Sequence, residues 1–325
     1  MTVSASLAQR FRDEISGARS VLIGTHMNPD GDALGSALAL SHFFDAEGID
    51  HEVLCHHSAP ANLKFLPGVG RVRQTPSRSD ADLGIMLDLD ALPRLGSPEV
   101  YFSKLPRLVV IDHHVPIEAP GNLRIVQTDS PATALILANL LFELGAKVTP
   151  EMATCLLTGI VTDTGSFRFR NTTAEALHVA ARLLELGGDI NRVSEEVFQR
   201  KPLASARLLG ILLEEMRLDC GDQLAYGAIR FEDFEETKAK DEDTEGFVNE
   251  LLSIETVKIA AIFRESKRGR VRISFRSRDD YNVASVAQEF GGGGHRNAAG
   301  CALDGHAEEI MELVVPRLKA CLASS

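Results

Sequence analysis

At 325 residues the chain is long enough for two domains, each able to bury its own core. With 44% hydrophobic and 25% charged residues it reads as globular, and no apolar run reaches the ~20 residues of a membrane-spanning helix. The net charge of -12 excludes the broad basic face that long nucleic acid requires, although cations gathered in one cleft would still admit a small anionic substrate.

In chain order, Val21 to Gly24 is expected as a short buried strand that breaks into a loop through Pro29 and Gly31, and Ala33 to Phe44 carries apolar residues at helical spacing. His51 to Cys55, Leu83 to Leu87, Leu108 to Ile111 and Arg124 to Val126 read as further strands, and Pro131 to Leu144 and Glu151 to Val161 as helices. This alternation predicts an α/β fold, a mostly parallel sheet with helices on both faces, in which ligands gather at the carboxyl ends of the strands. Thr173 to Leu186 and Ile190 to Phe198 continue as helices, and Pro202 opens another along which Leu208, Leu209, Leu212, Leu213 and Met216 recur. Residues 1–187 are therefore read as a first domain, 188–216 as a helical linker and 217–325 as a smaller α/β domain. In the latter, Leu224 to Phe231, Val257 to Phe263 and Val271 to Phe275 alternate as strands, and the acidic run Glu232 to Glu245 reads as a solvated loop. Asn282 to Phe290 is a helix leading to Gly291–His295, and Ala307 to Leu322 closes the chain as an amphipathic helix.

Four motifs sit at element ends in the first domain. The Pro- and Gly-shaped loop after the first strand can turn His26, Asp30 and Asp32 inward, and two hard carboxylates with an imidazole suit Mn²⁺ or Mg²⁺; the plainer alternative makes Asp32 a helix cap. Asp88 terminates Ile85-Met86-Leu87 and Asp90 follows it, of which one suffices as a ligand. Asp112, His113 and His114 are contiguous, so both imidazoles can serve one site only where the strand has ended. One could hold a metal while the other faces substrate, with Asp112 orienting an imidazole. Asp163 follows an apolar helix, Gly165 turns the chain, and Ser166, Phe167 and Arg168 suggest a substrate-facing loop. Together these supply ligands for two adjacent divalent metals, the usual device for in-line attack on a phosphoryl group. In the second domain, four glycines before His295 form a backbone built for close approach, whose successive N–H groups can cradle an anion. His56-His57 resembles the other His pair but lacks nearby carboxylates and is read as structural.

On His26-x-x-Pro29-Asp30-x-Asp32-Ala33-x-Gly35-Ser36, Asp88, Asp112-His113-His114, Asp163-Thr164-Gly165-Ser166-Phe167-Arg168-Phe169 and Gly291–His295 with Ala298-Ala299-Gly300, the chain resembles the DHH phosphoesterase superfamily. It looks most like the subfamily of short-oligoribonucleotide hydrolases that also dephosphorylate 3′-phosphoadenosine 5′-phosphate (pAp). The resemblance implies a DHH catalytic domain followed by a DHH-associated substrate-binding domain, and two Mn²⁺ with Mg²⁺ or Co²⁺ as substitutes. It implies that His26, Asp30, Asp88 and Asp163 serve one metal and Asp32, Asp88, His113 and Asp163 the other. His114 would lie against the scissile phosphate with Asp112 behind it. His295, Gly292, Gly293, Gly294 and Arg276 would hold the substrate's other phosphate, with Arg168 a further substrate contact. Leu89 departs from relatives that often carry a small or polar residue there.

The implied substrates are short RNA oligonucleotides and pAp, giving mononucleotides and AMP. The alternatives are a phosphodiesterase of linear dinucleotides from cyclic-dinucleotide turnover and a non-catalytic nucleotide-binding sensor. Long nucleic acid and membranes are not expected partners; a homodimer is compatible. Cys55, Cys155, Cys220, Cys301 and Cys321 lack the short spacings of a metal or redox motif, and the first residues lack a signal peptide's basic start and apolar core, so a cytoplasmic location is expected.

Overall fold

The computed structural model describes residues 3–115 and 120–323, and the chain divides into two units, Met1–Arg200 and Lys201–Ser325. Among the described residues the first unit holds five strands: β1 (Val21–Thr25), β2 (His51–Leu54), β3 (Leu83–Leu87), β4 (Arg107–Asp112) and β5 (Leu123–Val126). They form one sheet in the order β2-β1-β3-β4-β5, every pairing parallel. Parallel strands are buried on both faces and so read as continuous apolar runs, as all five residues of β1 and of β3 do. Val21 and Ile23 enter the larger apolar cluster and Leu22 the smaller one on the opposite face.

The larger cluster is covered by α1 (Ala5–Ser16), α2 (Gly31–Glu47), α4 (Thr133–Glu143), α5 (Pro150–Asp163) and α6 (Ala174–Glu185), while α3 (Glu99–Phe102) lies on the smaller one, where Phe102 packs with Leu54, Met86, Leu89 and Leu95. Leu89 is fully buried there, which explains an apolar residue directly after Asp88. Among the described residues no helix is long and apolar enough to cross a membrane.

Residues 188–216 are split between the units. The helix α7 (Ile190–Ser194) runs into a π turn at Glu195–Gln199, and Ile190 and Val197 pack on the first core. The helix α8 (Leu203–Glu215) instead buries Leu208 and Leu212 in the second unit. That unit carries a mixed sheet of β6 (Arg217–Asp219), β7 (Leu224–Ile229), β8 (Ile259–Lys267), β9 (Arg270–Ser277), β10 (Gly293–His295) and β11 (Ala298–Asp304), in the order β10-β11-β9-β8-β7-β6. α11 (Val283–Glu289) and α12 (Ala307–Ala323) cover one face; α8, α9 (Phe231–Thr237) and α10 (Phe247–Leu252) cover part of the other.

The acidic run Glu232 to Glu245 is not the solvated loop its charge suggests. It forms α9 and a 3-10 turn at Asp241–Thr244. Asp233 accepts from the Arg230 N–H at 2.7 Å, closing the helix start, and Asp233, Phe234 and Thr237 face the core while Glu232, Glu235 and Glu236 stay in solvent.

Candidate metal centre

Three strand ends and two helix ends converge on one cluster of carboxylates and imidazoles. Beyond β1, Asn28 adopts a φ of 57°, and Asp30, not Asp32, caps α2, its Oδ1 accepting from the N–H groups of Asp32 and Ala33 at 3.1 and 3.0 Å. Asp32 is fully buried in the first turn of α2. The Thr133 and Ala134 N–H groups opening α4 donate to its two oxygens at 2.6 and 2.8 Å, so a helix N-terminus holds this carboxylate. Asp88 leaves β3 with a φ of 62° and accepts from Thr133 Oγ1 at 3.1 Å. The β4 strand ends at Asp112, which frees His113 and His114 from strand alternation, and Asp163 ends α5.

Glycines set how closely these elements approach. A Cβ on Gly35 would lie 2.4 Å from the Cys155 carbonyl oxygen, and one on Gly159 would lie 2.5 Å from both Asp32 Oδ1 and Ala134 Cβ. The close crossing of α2 and α5 seats Asp32 beside Asp163. Gly159→Ala is therefore expected to destabilise by roughly 1–3 kcal/mol, the ordinary cost of overpacking, and to reduce the stabilisation given by an added divalent cation, both read from thermal melts.

Each imidazole is oriented through Nδ1: His26 to the Met27 carbonyl at 2.9 Å, His113 to the Ser130 carbonyl at 3.2 Å, and His114 to Asp112 Oδ1 at 2.8 Å. Acceptors there place the proton on Nδ1 and turn Nε2 outward as the basic nitrogen. His26 Nε2 lies 3.3 Å from Asp88 Oδ2 and 3.7 Å from Asp30 Oδ2. His113 Nε2 lies 3.4 Å from Asp88 Oδ1, 3.4 Å from Asp163 Oδ2 and 3.9 Å from Asp32 Oδ2.

Charge is crowded here. Burial opposes protonation of His26, but its hydrogen bond to Asp88 and the charges of Asp30 and Asp88 prevail and raise it to about 9. His113 likewise rises to about 9 against burial, through Asp88 and Asp32. Burial would lift Asp88, yet the two imidazoles hold it far below the usual carboxylate range. Burial and the Asp88 charge push Asp32 up to about 8, and burial with the charges of Asp32, Asp30 and Asp88 lifts Asp163 well above its ordinary value.

Carboxylates that ionise only at one another's expense, interleaved with imidazole nitrogens, are neutralised by divalent cations. Among the described residues, three overlapping groups have ligand atoms within 4.8 Å of one another: His26, Asp30 and Asp88; Asp32, His113 and Asp163; Asp88, His113 and His114. Their oxygen and nitrogen donors, with no sulfur, suit hard or borderline metals. Asp112 stands behind them, fully buried, its Oδ1 accepting from the N–H groups of His113 and His114 as well as from His114 Nδ1. Asp90 is buried but joins none of the groups.

After Asp163 the chain makes a left-handed turn in which Gly165, Ser166 and Phe167 have φ of 56°, 59° and 62°. The two non-glycine residues carry about 1–2 kcal/mol of strain each. Arg168 returns its Nε to the Gly165 carbonyl at 2.7 Å. His57, read as structural, accepts from the Asn28 N–H at 3.0 Å and so braces the first motif, while His56 accepts from the Ser97 N–H at 2.9 Å. In the second unit the glycine run is partly a hairpin, β10 pairing with β11. A Cβ on Gly292 would lie 2.2 Å from the Gly300 carbonyl oxygen, and one on Gly294 2.5 Å from that of Ala298. His295, Ala298 and Arg276 are cross-strand partners in one row.

The family model described as "DHH family, N-terminal domain" matches residues 20–160, and that described as "DHHA1 domain" matches residues 221–323. The chain is 33% identical over 287 residues to a protein of Thermus thermophilus named bifunctional oligoribonuclease and PAP phosphatase NrnA, covering 88% of this chain and 84% of that one. A Bacillus subtilis protein of the same name is 24% identical, covering 87% of this chain and 89% of its own. A solved structure from Bacteroides fragilis, described as an exopolyphosphatase-related protein, superposes with a TM-score of 0.91 at 28% identity, covering 99% of this chain and 96% of the other.

Proposed function

The chain belongs to the DHH family, and on that premise we propose that it is a two-metal phosphoesterase that hydrolyses short oligoribonucleotides to mononucleotides and removes the 3′-phosphate of pAp. The observation that carries this reading is the buried cluster of Asp and His ligand groups sharing Asp88 and His113. The names of the Thermus and Bacillus relatives support the substrate class.

In this reading His26, Asp30, Asp88 and Asp163 hold one cation and Asp32, Asp88, His113 and Asp163 the other, with Mn²⁺ as the working metal and Mg²⁺ or Co²⁺ as substitutes. Such a pair, when bound, supplies an activated water and neutralises the phosphoryl oxygens. The chain's own residues do the positioning. The N-terminus of α4 fixes Asp32, and Nδ1 anchors fix His26 and His113. Asp112 Oδ1 accepts a hydrogen bond from His114 Nδ1–H and so orients the ring, whose Nε2, when protonated, would donate to the scissile phosphate.

The second unit carries a proposed phosphate-binding row of its own. Strands lie about 4.8 Å apart, so an imidazole and a guanidinium straddle the small Ala298 across roughly 10 Å of one sheet face. That row, His295 and Arg276 with Gly292, Gly293 and Gly294, is proposed to bind the substrate's other phosphate. The proposed division is a catalytic part at 1–187, a link at 188–216 and a substrate-binding part at 217–325, and the two matched segments on either side of the link support it.

The test is Mn²⁺-dependent hydrolysis of an RNA dinucleotide, pAp and a long single-stranded RNA in parallel. Release of mononucleotide and phosphate from the short substrates, with the long RNA turned over at least tenfold more slowly, is expected. No turnover of any of them would overturn the reading.

A further inference from the structure

The segment after Asp163 presents Arg168, Phe169 and Arg170 consecutively, all exposed, in a chain of net charge -12. Phe169 is 47% exposed, although burying an aromatic ring is ordinarily favourable. Its ring rests on backbone: ring carbons lie 2.4 to 2.6 Å from where a Cβ on Gly165 would stand, so only glycine leaves room for it. The Phe169 N–H donates to the Thr164 carbonyl at 3.0 Å, and Asn171 Nδ2 donates to the Asp163 carbonyl at 3.0 Å. The segment that carries the ring is thus tied back to Thr164 on one side and, on the other, to Asp163, which contributes a carboxylate to the metal groups. Exposed apolar side chains also follow two other ligand segments, Met27 after His26 and Val115 after His114, so the cluster has an apolar rim beside its anionic centre.

An aromatic ring supported on one side, open on the other and flanked by guanidiniums is the composition of a single-strand nucleic-acid platform, on which a base stacks while arginines meet the backbone phosphates. We propose that Phe169 is the stacking surface for a nucleobase next to the scissile phosphate, with Arg168 and Arg170 facing the adjoining phosphates. This rests on the short-oligonucleotide reading and sharpens it, since preference among phosphoesters would then come from the base and not from the phosphate alone. It also gives the strained turn a role, because the left-handed run is what turns the tripeptide outward.

The full-length protein, its Phe169→Ala and its Phe169→Tyr variants are to be compared with Mn²⁺ on an RNA dinucleotide and on the same dinucleotide with each nucleotide in turn made abasic. Alanine is expected to raise KM for the intact dinucleotide roughly 5- to 150-fold with little change in kcat, and to have no effect on one of the abasic forms, while tyrosine keeps wild-type values. Quenching of a 2-aminopurine dinucleotide on binding is expected in the wild type and lost in the alanine variant. An unchanged KM, or an equal loss on all three substrates, would overturn the proposal by reducing Phe169 to a support for Asp163. Quenching that depends on Phe169 in a wild type without turnover would sustain the platform and sink the hydrolytic reading instead.

Discussion

Asp88→Asn is expected to remove turnover and leave the fold in place. Asp88 belongs to two of the three ligand groups and is only 2% exposed. It is also the carboxylate that stays ionised at every working pH, because the His26 and His113 imidazoles hold it far below the usual range. Asparagine keeps the side-chain volume, can still accept from Thr133 Oγ1, and tolerates the left-handed φ of 62° better than other substitutes. What it removes is the anionic ligand common to two of the groups, and with it transition-state charge stabilisation of roughly 4 kcal/mol, the several kcal/mol that a bound cation would supply. A loss of that size in the barrier is on the order of 10³-fold in rate. Asp112→Asn acts one step further back, by weakening the hold on His114, and should lose roughly 10- to 100-fold. Steady-state kinetics rank the two, and thermal melts show whether each is folded. An Asp88→Asn enzyme within tenfold of wild type, or one less impaired than Asp112→Asn, would contradict the assignment of Asp88 to both cations.

Much of this site is legible in the chain because parallel strands advertise themselves. Leu83–Leu87 and residues 108–111 of β4 are apolar runs that end on Asp88 and on Asp112-His113-His114, so strand ends and chemistry coincide in sequence as they do in space. The meeting of His26, Asp30, Asp32, Asp88, His113 and Asp163 follows from that topology. The parts that escape are those without a side-chain signature. Besides the Ser36 hydroxyl, the donors to Asp32 are backbone N–H groups of Thr133 and Ala134, visible in sequence only as a helix start after Ser130-Pro131. Gly159 reads as a mild defect within a helix, whereas its need is a contact with Asp32 more than a hundred residues away in sequence. The acidic α9 was hidden because charge dominates its composition, while only Asp233, Phe234 and Thr237 decide its packing. β10 is three residues of glycine and histidine, with no alternation to find, and exists because β11 offers an edge.

Crowded charge has a consequence for stability that metal binding should reverse. With cations removed by a chelator, the melting temperature is expected to fall as pH rises from 6 to 8. His26 and His113 are raised from 6.5 to about 9, so the stability they contribute is complete below about pH 6.5 and is lost as pH climbs through about 9. Asp32 is raised from 3.8 to about 8: the unfolded chain ionises it above about pH 4 while the fold resists, so each step of pH in the window favours unfolding. Asp163, lifted in the same direction, adds to the slope. Asp88 is shifted the other way, but its contribution is already complete above its unfolded value of 3.8 and stays constant here. The buried thiols of Cys55 and Cys155, pushed up by desolvation, begin to matter only above the window. Divalent cations bind the deprotonated ligands, so their stabilisation should grow with pH and flatten or invert the slope. At about a hundred times the dissociation constant the gain is ~2.7 kcal/mol, or roughly 5–10 °C for a cooperative unit the size of Met1–Arg200, which holds the cluster. Asp88→Asn should lose most of that gain, which separates a ligand defect from a misfolded one. A metal-free melting temperature that rises from pH 6 to 8, or a cation effect that is the same at both, would mean that the carboxylates are hydrated in solution and that the cluster is not the desolvated ligand set on which the two-metal reading depends.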